Sequence, residues 1–277
     1  MIRIEKLGFS YGQVPVLKNI TMNLEPGKIY GLLGENGVGK TTLLTLLAGL
    51  KKPLQGSIDI DGSTPYSRTP QVLENQFYLA DEMLSVPMKA AEYARITGEF
   101  WPNYKQDTFE EIMELFENVS DKKMNEMSTG QLKKTYISLA LALGCKYLFL
   151  DEPTNGLDIP SKAQFRSALM KYTGEDSTIV ISTHQVRDLE NIIDPIIILD
   201  RQDVLLNASL EEISRKLYFD YGTQLHPESL YSEQLPGGFI QVYPNAEGAD
   251  SKVNIEALFN AVHHNKEFIK GLFAETL

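Results

Sequence analysis

The chain of 277 residues, 43% hydrophobic and 23% charged, can bury a sizeable core and reads as a soluble globular protein of one large domain or two small ones. Its formal net charge of -11 argues against a broad nucleic-acid surface, which needs clustered Lys and Arg, but not against single phosphate groups, for which backbone amides and one lysine suffice. The single cysteine, Cys145, excludes an internal disulfide and suits a reducing compartment.

The N-terminus "MIRIEKLGFSYG" alternates in polarity from its first residue, unlike a signal or transit peptide, and this predicts a cytoplasmic protein. Short strands are predicted for "MIRIEKLGF", "PVLKNITMNL" and "GSIDIDG", with turns at Tyr11-Gly12, Pro26-Gly27 and Asp61-Gly62. Between them "KIYGLL" is a compact apolar strand, followed by a helix from about Gly39 to Ala48 that Gly49 and Pro53 stop. From about Met83 to Leu143 the period turns helical, through "KAAEYARITGEF", "QDTFEEIMELFENV" and "GQLKKTYISLALAL". The longest apolar stretch, Ile137 to Leu150, is broken by Gly144 and Lys146 and is shorter than the ~20 residues a membrane span needs. Strands return at "KYLFLDE", "STIVIST" and "PIIILD", with the helix "SKAQFRSALMKYT" after the first; continuous apolar strands in this order imply a parallel sheet covered on both faces. From Asp203 onward the chain carries 5 Lys or Arg against 11 Asp or Glu, more than half the net charge. There "GGFIQVYPN" reads as a strand, and Ile255, Leu258, Phe259, Val262, Ile269, Leu272 and Phe273 as the apolar face of one terminal helix.

Chemistry concentrates in three places. "GENGVGKTT" matches G-x-x-x-x-G-K-[ST] after a strand and before a helix, the context its mechanism requires. Gly34, Gly37 and Gly39 let backbone amides curl around phosphate oxygens, Lys40 reaches the β- and γ-phosphates, and the Thr41 hydroxyl helps hold Mg²⁺, with Asn36 and Thr42 in the same loop and first turn. "KYLFLDEP" delivers Asp151 and Glu152 at a strand's C-terminal end. Neighbours on a strand point to opposite faces, so the two acids should have different jobs, Asp151 being the better Mg²⁺ partner, through water, and Glu152 the better general base for the attacking water. "VISTHQ" ends another strand with His184, placed as a γ-phosphate sensor would be, whereas His226, His263 and His264 carry no spacing that suggests a metal site. "NEMSTGQLKK" is a helix start in which Ser128 is a natural N-cap.

In this order the motifs resemble the nucleotide-binding subunit of ATP-binding cassette (ABC) transporters, exporter-like in the segment after His184, over about residues 1–210. The resemblance implies an α/β fold. It consists of a P-loop NTPase core with a mainly parallel sheet, an N-terminal antiparallel β subdomain and an inserted helical subdomain at about 83–138, with a small C-terminal α+β accessory domain at 211–277. It implies that Tyr11 stacks on adenine, that "MSTGQ" with Ser128, Gly130 and Gln131 is the signature one subunit lends to another's ATP, and that Asp158 lies in the short acidic loop. Two positions depart from the family pattern. Thr129 stands at the first signature glycine, and Asp81 stands where a glutamine is usual, Gln76 lying too early to replace it. An acid there can contact Mg²⁺ but cannot donate as an amide does. The expected function is the ATP-binding and ATP-hydrolysing subunit of a transporter, with ATP and Mg²⁺ as cofactors and a separate transmembrane permease as partner. Two cassettes, alike or merely similar, would close head-to-tail, peripheral to the inner face of the cell membrane, with no nucleic acid expected. The alternatives are a soluble cassette ATPase that remodels a protein or nucleic-acid complex, and a P-loop small-molecule kinase, which the signature and His184 together disfavour.

Overall fold

The computed structural model describes residues 1–274. In chain order the elements are β1 (Ile2–Tyr11), β2 (Val14–Leu24), β3 (Ile29–Leu33), α1 (Lys40–Leu47), β4 (Gln55–Ile60), α2 (Pro70–Leu73), β5 (Gln76–Leu79), α3 (Ala90–Gly98), α4 (Gln106–Leu115) and α5 (Thr129–Ala142). They continue with β6 (Tyr147–Asp151), α6 (Ile159–Tyr172), β7 (Thr178–Thr183), β8 (Ile196–Asp200), β9 (Asp203–Ala208), α7 (Leu210–Lys216), β10 (Leu217–Gly222), β11 (Tyr231–Leu235), β12 (Gly238–Pro244), α8 (Ile255–His264) and α9 (Lys266–Leu272).

A six-stranded sheet in the order β5-β6-β7-β3-β8-β9 forms the centre, parallel except for the β9 edge, which runs antiparallel to β8. Every residue of β6, β7 and β8 is buried, the signature of strands covered on both faces. The two faces are visible in the alternation of β6: Tyr147 and Phe149 join a cluster with α1 and the N-terminal strands, while Leu148 and Leu150 join one with α5 and α6. β3 divides in the same way between Leu32 and Leu33. The antiparallel sheet β2-β1-β4 therefore clamps α1 against one face of the centre. On the other face α3, α4 and α5 bury Phe109, Ile112, Phe116 and Ile137 together.

The N-terminal sheet, the inserted helices and the mainly parallel centre match the expected α/β architecture. The terminal apolar face, however, is divided between α8 and α9. Asn265 leaves the helical conformation at φ -130° and ψ 45°, and its side-chain amide donates to the carbonyls of Leu230 (2.6 Å) and Ala261 (3.2 Å), holding the break in place. The sheet β10-β12-β11 packs with these helices, and its buried residues Phe219, Ile240 and Val242 belong to the same continuous cluster as Leu205 and Leu206 of β9. Among the described residues no helix is long and apolar enough to cross a membrane.

Ion pairs fasten this C-terminal segment to the central sheet. Lys266 pairs with Asp200 at the end of β8, and Lys270 pairs with Asp203 at the start of β9. Asp200 is only 7% exposed, with His263 Nε2 3.8 Å away as a further neighbour, whereas Asp203 is 48% exposed. Removing one partner of a buried pair strands the other charge, while an exposed pair is screened. Lys266→Met is therefore expected to cost about 2 kcal/mol in urea unfolding and Lys270→Met no more than about 1 kcal/mol. Equal losses would contradict the burial argument.

Candidate functional site

The C-terminal ends of β3, β6 and β7 lie side by side, so the segments that follow them converge on one edge of the sheet, where open α/β folds bind ligands. After β3 the chain curls through Gly34–Gly39 into α1. A Cβ at Gly34 would lie 2.6 Å from the Leu199 carbonyl oxygen, which only glycine avoids. Gly39 caps α1 at φ 116°, a conformation that side chains rarely adopt, and gives no side-chain cap, so the first-turn amides of α1 are free to face an anion. Lys40 folds back over the loop, its Nζ donating to the Gly34 carbonyl at 2.7 Å and the Glu35 carbonyl at 3.1 Å. Burial pushes its ammonium pKa down, opposed by the charges of Glu152 and Asp151.

Asp151 is 3% exposed and accepts from three hydroxyls: Thr41 Oγ1 at 2.6 Å and Tyr78 at 3.3 Å on Oδ2, and Ser182 on Oδ1. Burial and the Asp151 charge push the Tyr78 phenol above its usual range, so it remains a donor. Thr41 and Asp151 thus place a hydroxyl and a carboxylate together, a hard-oxygen donor set that fits Mg²⁺. Glu152 turns out of the strand at φ 46°, with its N–H donating to the backbone and side-chain oxygens of Ser182. Its carboxylate lies 2.9 Å from His184 Nδ1 and 3.8 Å from Lys40 Nζ, and accepts from the His184 N–H at 3.4 Å. Gln185 Nε2 is 3.3 Å from His184 Nε2, so a neutral imidazole protonated on Nδ1 satisfies both contacts: it donates to Glu152 and accepts from the amide.

Lys40, Thr41, Asp151, Glu152 and His184 line a cleft of about 550 Å³ together with Tyr11, Asn36, Gly37, Gly39, Thr42 and Asp81. Tyr11 is half exposed, edge-on to Phe9 at 5.1 Å and with its hydroxyl 3.4 Å from Thr42 Oγ1; Lys51 Nζ sits 5.0 Å from its ring centre. Asp81 faces the cleft but its Oδ1 accepts from Lys133 Nζ at 2.8 Å, and the Asn155 amide lies 3.4 Å from both its oxygens. Gly34 lines the adjoining groove beside His184.

Besides Gly34, four expected residues stand outside the cleft. Ser128 caps α5 through a capping box, accepting from the Gln131 N–H at 3.3 Å, while Gln131 Oε1 accepts from the Ser128 N–H at 3.1 Å and from Lys122. Gly130 sits against the turn at Gly156, 3.6 Å from its carbonyl oxygen to the position of a Cβ. Asp158 caps α6, accepting from the Ser161 N–H at 2.9 Å; the Ser161 bonds hold its carboxyl below the ordinary carboxylate range. Lys51, Tyr78, Lys133, Asn155 and Ser182 were not foreseen. Only strand adjacency exposes Ser182, which pairs across from Asp151 in the β6–β7 register.

A P-loop with a paired acidic strand on this fold defines a nucleoside-triphosphate-binding protein. The sequence profile described as ABC transporter matches residues 17–155. YdbJ of Bacillus subtilis, an ABC transporter ATP-binding protein, is 32% identical over 225 residues, covering 76% of this chain and 70% of the relative. A similar protein of Methanocaldococcus jannaschii is 29% identical over 244 residues, covering 84% and 88%. Among solved structures, a dimeric ATP-binding cassette bound to ADP and Pi superposes with a TM-score of 0.67 at 22% identity, covering 76% of this chain and 99% of that one. The chain belongs to the ABC transporter family, as an ATP-binding subunit. It is an ATPase of the kind that powers substrate movement through a separate membrane subunit.

The three hydroxyls around Asp151 generate a stability test. Asp151→Ala leaves Thr41, Ser182 and Tyr78 without their common acceptor in a buried place, and is expected to cost about 2–4 kcal/mol in nucleotide-free urea unfolding. Unchanged unfolding would show that the hydroxyls do not depend on the carboxylate.

Proposed function

We propose that two copies of this chain close head-to-tail around two ATP molecules, each copy supplying the phosphate-binding cleft of one site and the α5 N-terminus of the other. The observation that carries this reading is the separation just described: Lys40, Asp151, Glu152 and His184 share one cleft, while Ser128, Gly130 and Gln131 form an ordered helix start outside it. A capped helix start still presents backbone amides and a positive dipole end to an anion, here the γ-phosphate in the facing copy.

Within the cleft the α1 amides and Lys40 bind the β- and γ-phosphates, Lys40 exchanging its loop carbonyls for phosphate oxygens. Thr41 and Asp151 hold Mg²⁺, which when bound neutralises phosphate charge. Asp81 reaches that region only from its ion pair with Lys133. Tyr11 stacks on adenine, an interaction typically of about 1–3 kcal/mol, and Lys51, 5.0 Å from its ring centre, adds positive charge beside it. Glu152 takes the proton from the attacking water; His184 donates to Glu152, fixes its orientation and senses the γ-phosphate beyond it. Asp158 stiffens the start of α6 beside the α5 half-site.

The membrane partner is a separate permease, which would keep the dimer at the inner face of the cell membrane. Leu84 (78% exposed) and Phe100 (74% exposed), at the two ends of the segment containing α3, are apolar side chains suited to that contact. The accessory domain assigned to residues 211–277 packs, over its described residues 211–274, on β9 and on the segment after His184, where Arg187 meets Glu256 at 2.6 Å; residues 275–277 lie outside the described residues.

The reading is tested at Glu152. An amide cannot accept the proton, so Glu152→Gln is expected to lower ATP turnover by about 10²–10⁴-fold while ATP binding persists and the closed dimer accumulates on size-exclusion chromatography. Normal turnover in that variant would remove Glu152 as the base.

A further inference from the structure

Lys133 is a lysine that solvent hardly reaches, with a side chain 5% exposed, on the second turn of α5. An ammonium in such a place must have its donors satisfied. It has three N–H groups, and the structure gives it three acceptors: Asp81 Oδ1 at 2.8 Å, the Asp81 carbonyl at 3.2 Å and the Glu152 carbonyl at 3.1 Å. The ammonium therefore joins three separate elements: α5, the end of β5 and the turn after β6.

The third contact concerns the chemistry. Glu152 adopts a left-handed backbone at φ 46°, unusual for a residue with a side chain and maintained only where its surroundings hold it. Its N–H is held by Ser182 and its carboxylate by His184; its carbonyl is held by Lys133. With one carbonyl tied to α5, the direction of the Glu152 side chain depends on the position of that helix. The N-terminus of the same helix carries Ser128 one turn earlier.

We propose that Lys133 is a positioning residue for ATP hydrolysis: it holds the backbone of Glu152 in the orientation that aims the carboxylate, and it makes that orientation follow α5. Asp81 is the counter-charge that lets the lysine be buried, which accounts for an acid in a place where the family resemblance leads one to expect an amide. Lys133 does not line the cleft and acts through Glu152. When a partner copy engages Ser128, the base in the same chain is reset through the one helix that bears both residues. The inference rests on Glu152 being the base.

The experiment measures ATP turnover, ATP affinity and thermal stability for the full-length chain and four variants. Lys133→Met keeps the apolar stem and removes all three donors. It is expected to lower kcat about ten-fold or more while KM for ATP stays within about two-fold, the pattern of a misaligned catalytic group rather than a lost binding contact. Lys133→Arg keeps charge and donors and recovers much of that kcat. The decisive variant is Lys133→Met with Asp81→Asn, which removes both charges together. It is expected to regain the stability lost by stranding Asp81 but not the kcat, because the Glu152 carbonyl still lacks its donor. Should Lys133→Met alone fail to fold, the double variant carries the same comparison. A kcat for Lys133→Met near wild type, or a double variant whose kcat returns together with its stability, would overturn the proposal. Glu152→Gln assayed alongside separates the two failures: if it hydrolyses ATP normally the base assignment falls, and if it is inactive while Lys133→Met is normal only the positioning role falls.

Discussion

The carboxylate of Asp151 sits where three strands and one helix meet, and it is nearly sealed from water. A buried carboxylate is tolerable only with its oxygens occupied, and here the partners are hydroxyls from the first turn of α1, from β5 and from β7. Each bond fixes a different piece of the cleft: the helix after the glycine-rich loop, the strand leading to Asp81, and the strand leading to His184. Hydroxyls rather than cations make this arrangement suitable for a divalent ion, since the negative charge is shared but not neutralised. Lys40 stands apart, engaged with loop carbonyls and only distantly with Glu152, so positive charge is kept on the phosphate side.

The sheet order explains why these pieces meet. With β3 between β7 and β8, and β6 beside β7, the P-loop opens beside His184, and Asp151 opposes Ser182 in register. Two apolar clusters on opposite faces hold the sheet rigid enough to keep those contacts at hydrogen-bond length. The second cluster also takes in the C-terminal segment, so β9, the segment after His184 and the accessory helices share one packed core.

The sequence made the local chemistry readable wherever a residue's role depends on its immediate neighbours. The turn glycines with Lys40 and Thr41, the acids at the end of an apolar strand, and Ser128 as the N-cap of a helix all belong to contiguous segments. What it did not reveal depends on distant segments. Ser182 and Tyr78 matter because β7 and β5 flank β6, and a strand's periodicity does not name its neighbours. Lys133 reads as one more charge near a helix start until α5 is laid across the ends of β5 and β6. The break at Asn265 interrupts an apolar period that runs on through it, because its amide is drawn to Leu230, 35 positions away. β10 and β11 are strands through their antiparallel pairing with β12, and β11 is mostly exposed, so its own sequence carries little apolar pattern.

On the proposed head-to-tail arrangement, the cleft of one chain is completed only by the α5 half-site of the other. That arrangement is tested by mixing two variants that are each inactive for a different reason. Lys40→Ala loses phosphate binding but keeps an intact α5 start, and Ser128→Arg obstructs the half-site but keeps an intact cleft. In a mixed dimer one site pairs the good cleft with the good half-site, so steady-state ATP turnover, absent from either variant alone, is expected to appear on mixing. Folded variants that mix without any recovery would contradict the account, as would full activity of Ser128→Arg by itself.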